Sequence, residues 1–246
     1  ALPIFNTGGI NMSAATADLT FNSGFVRLAS ANFGGTFDVV SGRTLTLNSL
    51  NNQGNTKTAT FQGAGSVILN GNSGSGGVFS FNVNGAAVTM NGASNAWSSG
   101  TVTSGSLTVG NSAALSTFST AVNAANGLRF ANGITSATLR NLSGTGDFAL
   151  TNAGSQAVAL TTTGDTASSF TYSGSISGAG SLIKNGTSTV TLSGNNSFSG
   201  GLTVNGGIVN FGNSNAAGGS TATITAASTT TLSLTNSSSV FLAGGI

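Results

Sequence analysis

Gly178-Ala179-Gly180-Ser181-Leu182-Ile183-Lys184-Asn185-Gly186 repeats, at an offset of 115, the stretch Gly63-Ala64-Gly65-Ser66-Val67-Ile68-Leu69-Asn70-Gly71. Repetition on this scale makes the chain an array of similar units and is read before any local propensity. Each unit opens on Gly-x-Gly, carries a short apolar run (Val67-Ile68-Leu69 or Leu182-Ile183), and closes on Asn-Gly, as a short strand ended by a tight turn does. Working outward, the match continues at an offset of 102: Val88, Met90 and Gly92 correspond to Val190, Leu192 and Gly194. Val102, Leu107, Val109 and Gly110-Asn111-Ser112 then correspond to Val204, Val209, Phe211 and Gly212-Asn213-Ser214, and Trp97 meets Phe198 one residue out of register. The clearest copies are 63–114 and 178–217, and the change of offset gives the first copy 13 extra residues, 72–84, whose Gly-Ser composition reads as a surface-loop insertion. A third copy starts at Gly144-Thr145-Gly146-Asp147-Phe148, and Val40, Leu45 and Leu47 keep the spacing of Val204, Val209 and Phe211.

Period-2 alternation recurs at Thr44–Leu47, Val88–Met90, Leu107–Val109, Val190–Leu192 and Thr231–Leu234, with Asn-Gly pairs between such segments. Helix formers are scarce, and 113–125 alone has the Ala content for a short helical turn. Coils that cannot bury their own inner face must stack, so the expected fold is all-β: a right-handed parallel β-solenoid, or β-helix, forming a single domain over 1–246 with little or no helix. At roughly 20 residues a coil the chain makes about a dozen coils, and at about 4.8 Å per rung the rod is about 55 to 60 Å long. Phe61, Phe148, Phe170, Phe198 and Phe211 fall at or beside repeat positions, as stacked interior rings would.

Gly 38, Ser 37, Thr 35 and Asn 28 make up more than half of the 246 residues, against 4 % charged residues. There is no His, Cys or Glu, which removes the usual general base, the thiolate nucleophile and most zinc sites. A non-catalytic protein is expected. The net charge is +2, and the six cations Arg27, Arg43, Lys57, Arg129, Arg140 and Lys184 are scattered singly, so nucleic acid is not an expected partner. No stretch approaches the roughly 18 consecutive apolar residues of a membrane-spanning helix. Ala1–Phe5 has no charged leader, which fits a secretory signal already removed and an extracellular or cell-surface location.

From Ile176 to Asn213 the chain resembles the autotransporter-associated β-strand repeat of bacterial passenger domains. Gly178, Gly180, Leu182, Lys184, Gly186, Leu192, Ser193, Gly194, Phe198, Ser199, Gly200, Gly201 and Val204 occupy the positions of the family pattern. The copy at 63–112 departs from it with Leu69 for the lysine and Trp97 for the aromatic residue. The resemblance implies a secreted or surface-displayed β-helical passenger and carries no catalytic residue across.

The four carboxylates fall into two pairs, Asp18 with Asp38 and Asp147 with Asp165, and the spacing within each pair is close to one coil. Asp147 and Asp165 are the candidate Ca²⁺ ligands, although calcium wants six or more oxygens and turn aspartates are the preferred reading of both; no cofactor is otherwise expected. Thr-x-Thr at Thr44, Thr58, Thr101, Thr189, Thr221 and Thr223 raises the alternative of an ice-binding face. Trp97 and Tyr172 read as packing residues before sugar platforms. The leading functional expectation is a subunit of an extracellular filament or matrix. In it, copies join head-to-tail through the apolar segments holding Leu2, Ile4 and Phe5 at one end and Val240, Phe241, Leu242 and Ile246 at the other. The alternative is a passenger adhesin for a glycan, another surface polymer or a host surface.

Overall fold

The computed structural model describes residues 4–5, 8–22, 26–28, 34–51, 56–73, 78–164, 169–219 and 222–234. Every strand pair in it is parallel, and the described residues contain no helix. One ladder runs the length of the molecule through Ile10, Phe37, Phe61, Val83, Val102, Val122, Gly144, Tyr172, Leu192, Phe211 and Leu234. Its steps are uneven, short from Val83 to Val102 and long from Gly144 to Tyr172. Coils are on average somewhat longer than the sequence suggests, and the described ladder makes ten steps, below the dozen coils expected. That corresponds to a rod of about 48 Å at about 4.8 Å per rung.

The solenoid has three sides. After the first, just traced, the chain turns onto a second side, carrying 19–21, 44–47, 66–69, 87–90, 106–109 and 128–130. It then turns onto a third, whose strands include 136–139, 159–162, 181–184, 202–204 and 224–226. Parallel stacking on each side brings alternate side chains inward, so Leu45, Val67, Val88 and Leu107 form one buried column while their neighbours Thr44, Thr46, Thr89 and Thr108 are only partly covered.

Residues 79–84 are strand, not the surface loop expected of the insertion. Phe79, Phe81 and Val83 are buried and in register with Lys57, Ala59 and Phe61 below. Residues 74–77 lie outside the described residues. The extra residues of the first copy thus add two sides of a coil between its two halves, and the two copies also start on different sides. Ser66–Leu69 belongs to the second side and Ser181–Lys184 to the third. The 113–125 stretch is a turn followed by the strand Leu115–Val122.

Candidate functional site

The Gly-x-Gly opening does the same work in both copies. Gly63 and Gly178 adopt φ of 86° and 96°, in the left-handed region open chiefly to glycine. Gly65 and Gly180 press on the coil below so closely that a Cβ would lie 2.4 Å from the Val40 oxygen and 2.0 Å from the Val158 oxygen. No helix follows either pair.

Lys184 is buried, and its Nζ donates to the carbonyls of Asn185 (2.8 Å), Gly186 (3.0 Å) and Gly206 (3.1 Å). The ammonium ties its own turn to the turn of the next coil, and burial holds its pKa below the ordinary lysine value. Lys57 is likewise buried, donates to the Leu28 carbonyl, and is lowered for the same reason.

Sequence reading missed a pair of buried asparagines. Asn95 Oδ1 accepts from Ser73 N (2.8 Å), and its Nδ2 donates to the Gly92 and Ala114 carbonyls (both 2.9 Å). Asn196 Oδ1 accepts from Ile176 N (2.8 Å), and its Nδ2 donates to the Ala216 carbonyl (2.7 Å). Each amide stands between the coils below and above and stitches three rungs together. The signal was present as Asn-x-aromatic, Asn95-Ala96-Trp97 and Asn196-Ser197-Phe198, at an offset of 101. Trp97 packs as expected: it stacks on Phe79 at 4.1 Å and meets Phe81 edge-on at 5.2 Å. Tyr172 is buried, and its hydroxyl donates to the Gly146 carbonyl. Burial, then the charge of Asp147, raises its pKa above the ordinary tyrosine value.

Asp18 and Asp38 do not stack as a pair. Asp38 lies in register with Asn11 and Gln62, whereas Leu19 pairs with Leu45 and so sets Asp18 beside Thr44 on another side. Asp18 Oδ1 accepts from Thr44 N, and Asp147 Oδ1 accepts from Ser175 N, both at 2.8 Å. Each carboxylate replaces a carbonyl in the ladder between coils. Asp165 lies outside the described residues, and no cluster of three or more His, Cys, Asp or Glu occurs among those described.

The Thr-x-Thr pairs divide among the sides: Thr44 on the second, Thr58, Thr101 and Thr189 on the first, Thr223 beside the third. One outward column of the first side nevertheless reads Thr36, Thr60, Asn82, Thr101, Ala121 and Ser143, and later Thr171, Thr191, Asn210 and Ser233, without a charge. Elsewhere on the exterior, Asn91 donates to Asn70 (2.9 Å), Asn205 to Asn185 (2.8 Å) and Asn215 to Asn195 (2.8 Å), extending the ladders through side chains.

Of the residues assigned to assembly, Leu2, Val240, Phe241, Leu242 and Ile246 lie outside the described residues, while Ile4 and Phe5 pair in parallel with Arg27 and Leu28. No described helix is long and apolar enough to cross a membrane.

A family model described as Passenger-associated-transport-repeat matches residues 182–211. The match falls inside the second copy, on the stretch that carries the resemblance, and suggests a passenger-type surface protein of the autotransporter kind. No curated protein and no solved structure matches the chain.

Proposed function

We propose that this chain is a non-catalytic section of a surface-displayed passenger, a stiff rod that holds its exterior away from the cell. The observation that supports this reading most strongly is the use made of reactive groups. Asp18, Asp147, Lys57 and Lys184 bond to the backbone of neighbouring coils, and the passenger repeat sits within the same ladder. Labelling and protease shaving of intact cells test it. Antibody access and cleavage without lysis are expected; a chain that stays protected until lysis overturns the reading.

The finer reading is head-to-tail stacking of copies into an extracellular filament. Among the described residues, the strands Gly8–Met12, Ile224–Ala226 and Thr231–Leu234 each pair on one edge, and a second copy can supply the other. Electron microscopy over a concentration series reads this directly. Filaments with a subunit repeat near 53 Å, eleven described rungs at about 4.8 Å each, are expected, whereas isolated rods at every concentration overturn stacking and leave surface display intact.

A further inference from the structure

The second side breaks at one step. Leu128–Phe130 pairs with Leu107–Val109 beneath it, but the next strand up, Phe148–Ala149, pairs only with Ile176–Ser177 above. The chain after it swings out as a small hairpin closed by the antiparallel bridge Thr151–Ala157, and a single backbone bond from Ala153 N to the Phe130 carbonyl (3.0 Å) spans the gap. What remains is an open cleft of about 400 Å³ lined by Asn126, Arg129 and Thr151 together with Leu128, Phe130, Ala149, Asn152 and Ala153.

Its polar groups differ from those elsewhere on the rod. The Asn152 side chain is committed inside the hairpin, to Gly154 N, Gln156 N, Gln156 Oε1 and the Ile134 carbonyl. Exposed Arg129 uses only Nε, donating to the Asn126 carbonyl at 3.1 Å, so the terminal nitrogens of its guanidinium are unpaired among the described residues. The Asn126 amide and the Thr151 hydroxyl likewise have no partner among the described residues. No carboxylate lines the cleft.

We infer that this cleft binds a carboxylate-bearing saccharide, such as a uronic acid unit of an acidic polysaccharide. A guanidinium edge takes a carboxylate through parallel charge-assisted bonds. A neighbouring amide and hydroxyl supply what ring hydroxyls need, alanine methyls give an apolar wall, and the volume lies within the range of small-ligand clefts, about 300–1,000 Å³. A peptide adding as a strand along Leu128–Phe130 is disfavoured, because Ala153 N already occupies the Phe130 carbonyl.

The test is an amide NMR titration of the full chain with digalacturonate, its methyl ester, acetate and a triaspartate peptide. Digalacturonate is expected to shift the amides of 126–130 and 149–153, with the ester about tenfold weaker, the loss typical of one charge-assisted contact. Arg129→Gln, at an exposed side chain, weakens digalacturonate about tenfold while leaving the remaining spectrum in place, and Ala153→Leu, which fills the cleft, abolishes the response. Absence of shifts at these residues, an ester binding as well as the acid, or acetate or triaspartate binding as tightly as digalacturonate overturns the inference. Surface display does not enter this measurement, so it fails or succeeds independently of that reading.

Discussion

The two Gly-Ala-Gly-Ser copies share one strand-and-turn pattern and still occupy different sides of the solenoid. In the first, Val67 and Leu69 lie directly beneath Val88 and Met90, a full turn later. In the second, Leu182 and Lys184 lie beneath Leu202 and Val204, and the segment homologous to Val88–Met90, Val190–Leu192, has moved onto the adjacent side. A repeat of this kind specifies a turn and a strand, not a position around the axis; the number of residues between repeats decides that. Any side accepts the unit because all three offer a buried, largely apolar inner column and an outward row of hydroxyls and amides.

Removing the difference should be the most damaging change. Deletion of 72–84 gives the first copy the spacing of the second but withdraws Phe79, Phe81 and Val83 from the core and unstacks Trp97. Loss of a cooperative thermal transition by circular dichroism is expected, where a true surface loop would leave it nearly unchanged. Next in size are Asn95→Ala and Asn196→Ala, each of which leaves a backbone N–H of the coil below and a carbonyl of the next coil without its side-chain partner. Costs of about 2–3 kcal/mol in urea unfolding are expected for both, and similar values would show that the two copies use this device equally on their different sides.

Lys184→Leu installs the first copy's residue in the second. Three turn carbonyls lose their donor while a desolvation penalty is also relieved, so a smaller loss of about 1–2 kcal/mol is expected. A stabilised variant would show that the lysine is not a structural tie. Smallest is Tyr172→Phe, at about 1 kcal/mol for the hydroxyl-to-Gly146 bond, and its pH dependence is diagnostic. The folded-state pKa lies above the unfolded value, so the stability tied to this group is complete below about pH 10 and is lost as pH rises past it, when the unfolded chain ionises. Buried Lys57 and Lys184, both lowered, tilt the curve the opposite way. Melting the wild type and Tyr172→Phe at several pH values through this range isolates the tyrosine: the alkaline decline should shrink in the variant, and identical declines would contradict the assignment.

Much of this was legible in sequence. Period-2 alternation, Asn-Gly turns and the Gly-Ala-Gly-Ser repeat were enough for a parallel β-solenoid, and the repeat alignment placed Trp97 in the core. Register was not legible. Coils as unequal as Val83 to Val102 and Gly144 to Tyr172 leave the spacing between aspartates uninformative about which rung each occupies. The same variability hid the side change between copies. Asn95 and Asn196 were overlooked because asparagine in a Gly-rich segment ordinarily marks a turn, and only their shared place before an aromatic residue sets them apart. The cleft has no sequence signal at all, since it arises from a pairing that does not form.

That missing pairing also has a mechanical meaning. At the step above Leu128–Phe130 the second side contributes no strand pairing, and the following step of the first side has the isolated Gly144–Tyr172 bridge as its strand pairing, with the Tyr172 hydroxyl-to-Gly146 bond beside it. In a stack whose turns touch only their neighbours, tension is borne turn by turn and failure begins where the fewest bonds are in parallel. Pulled from its ends, the rod should part at this seam first, leaving an N-terminal and a C-terminal stack each still wound.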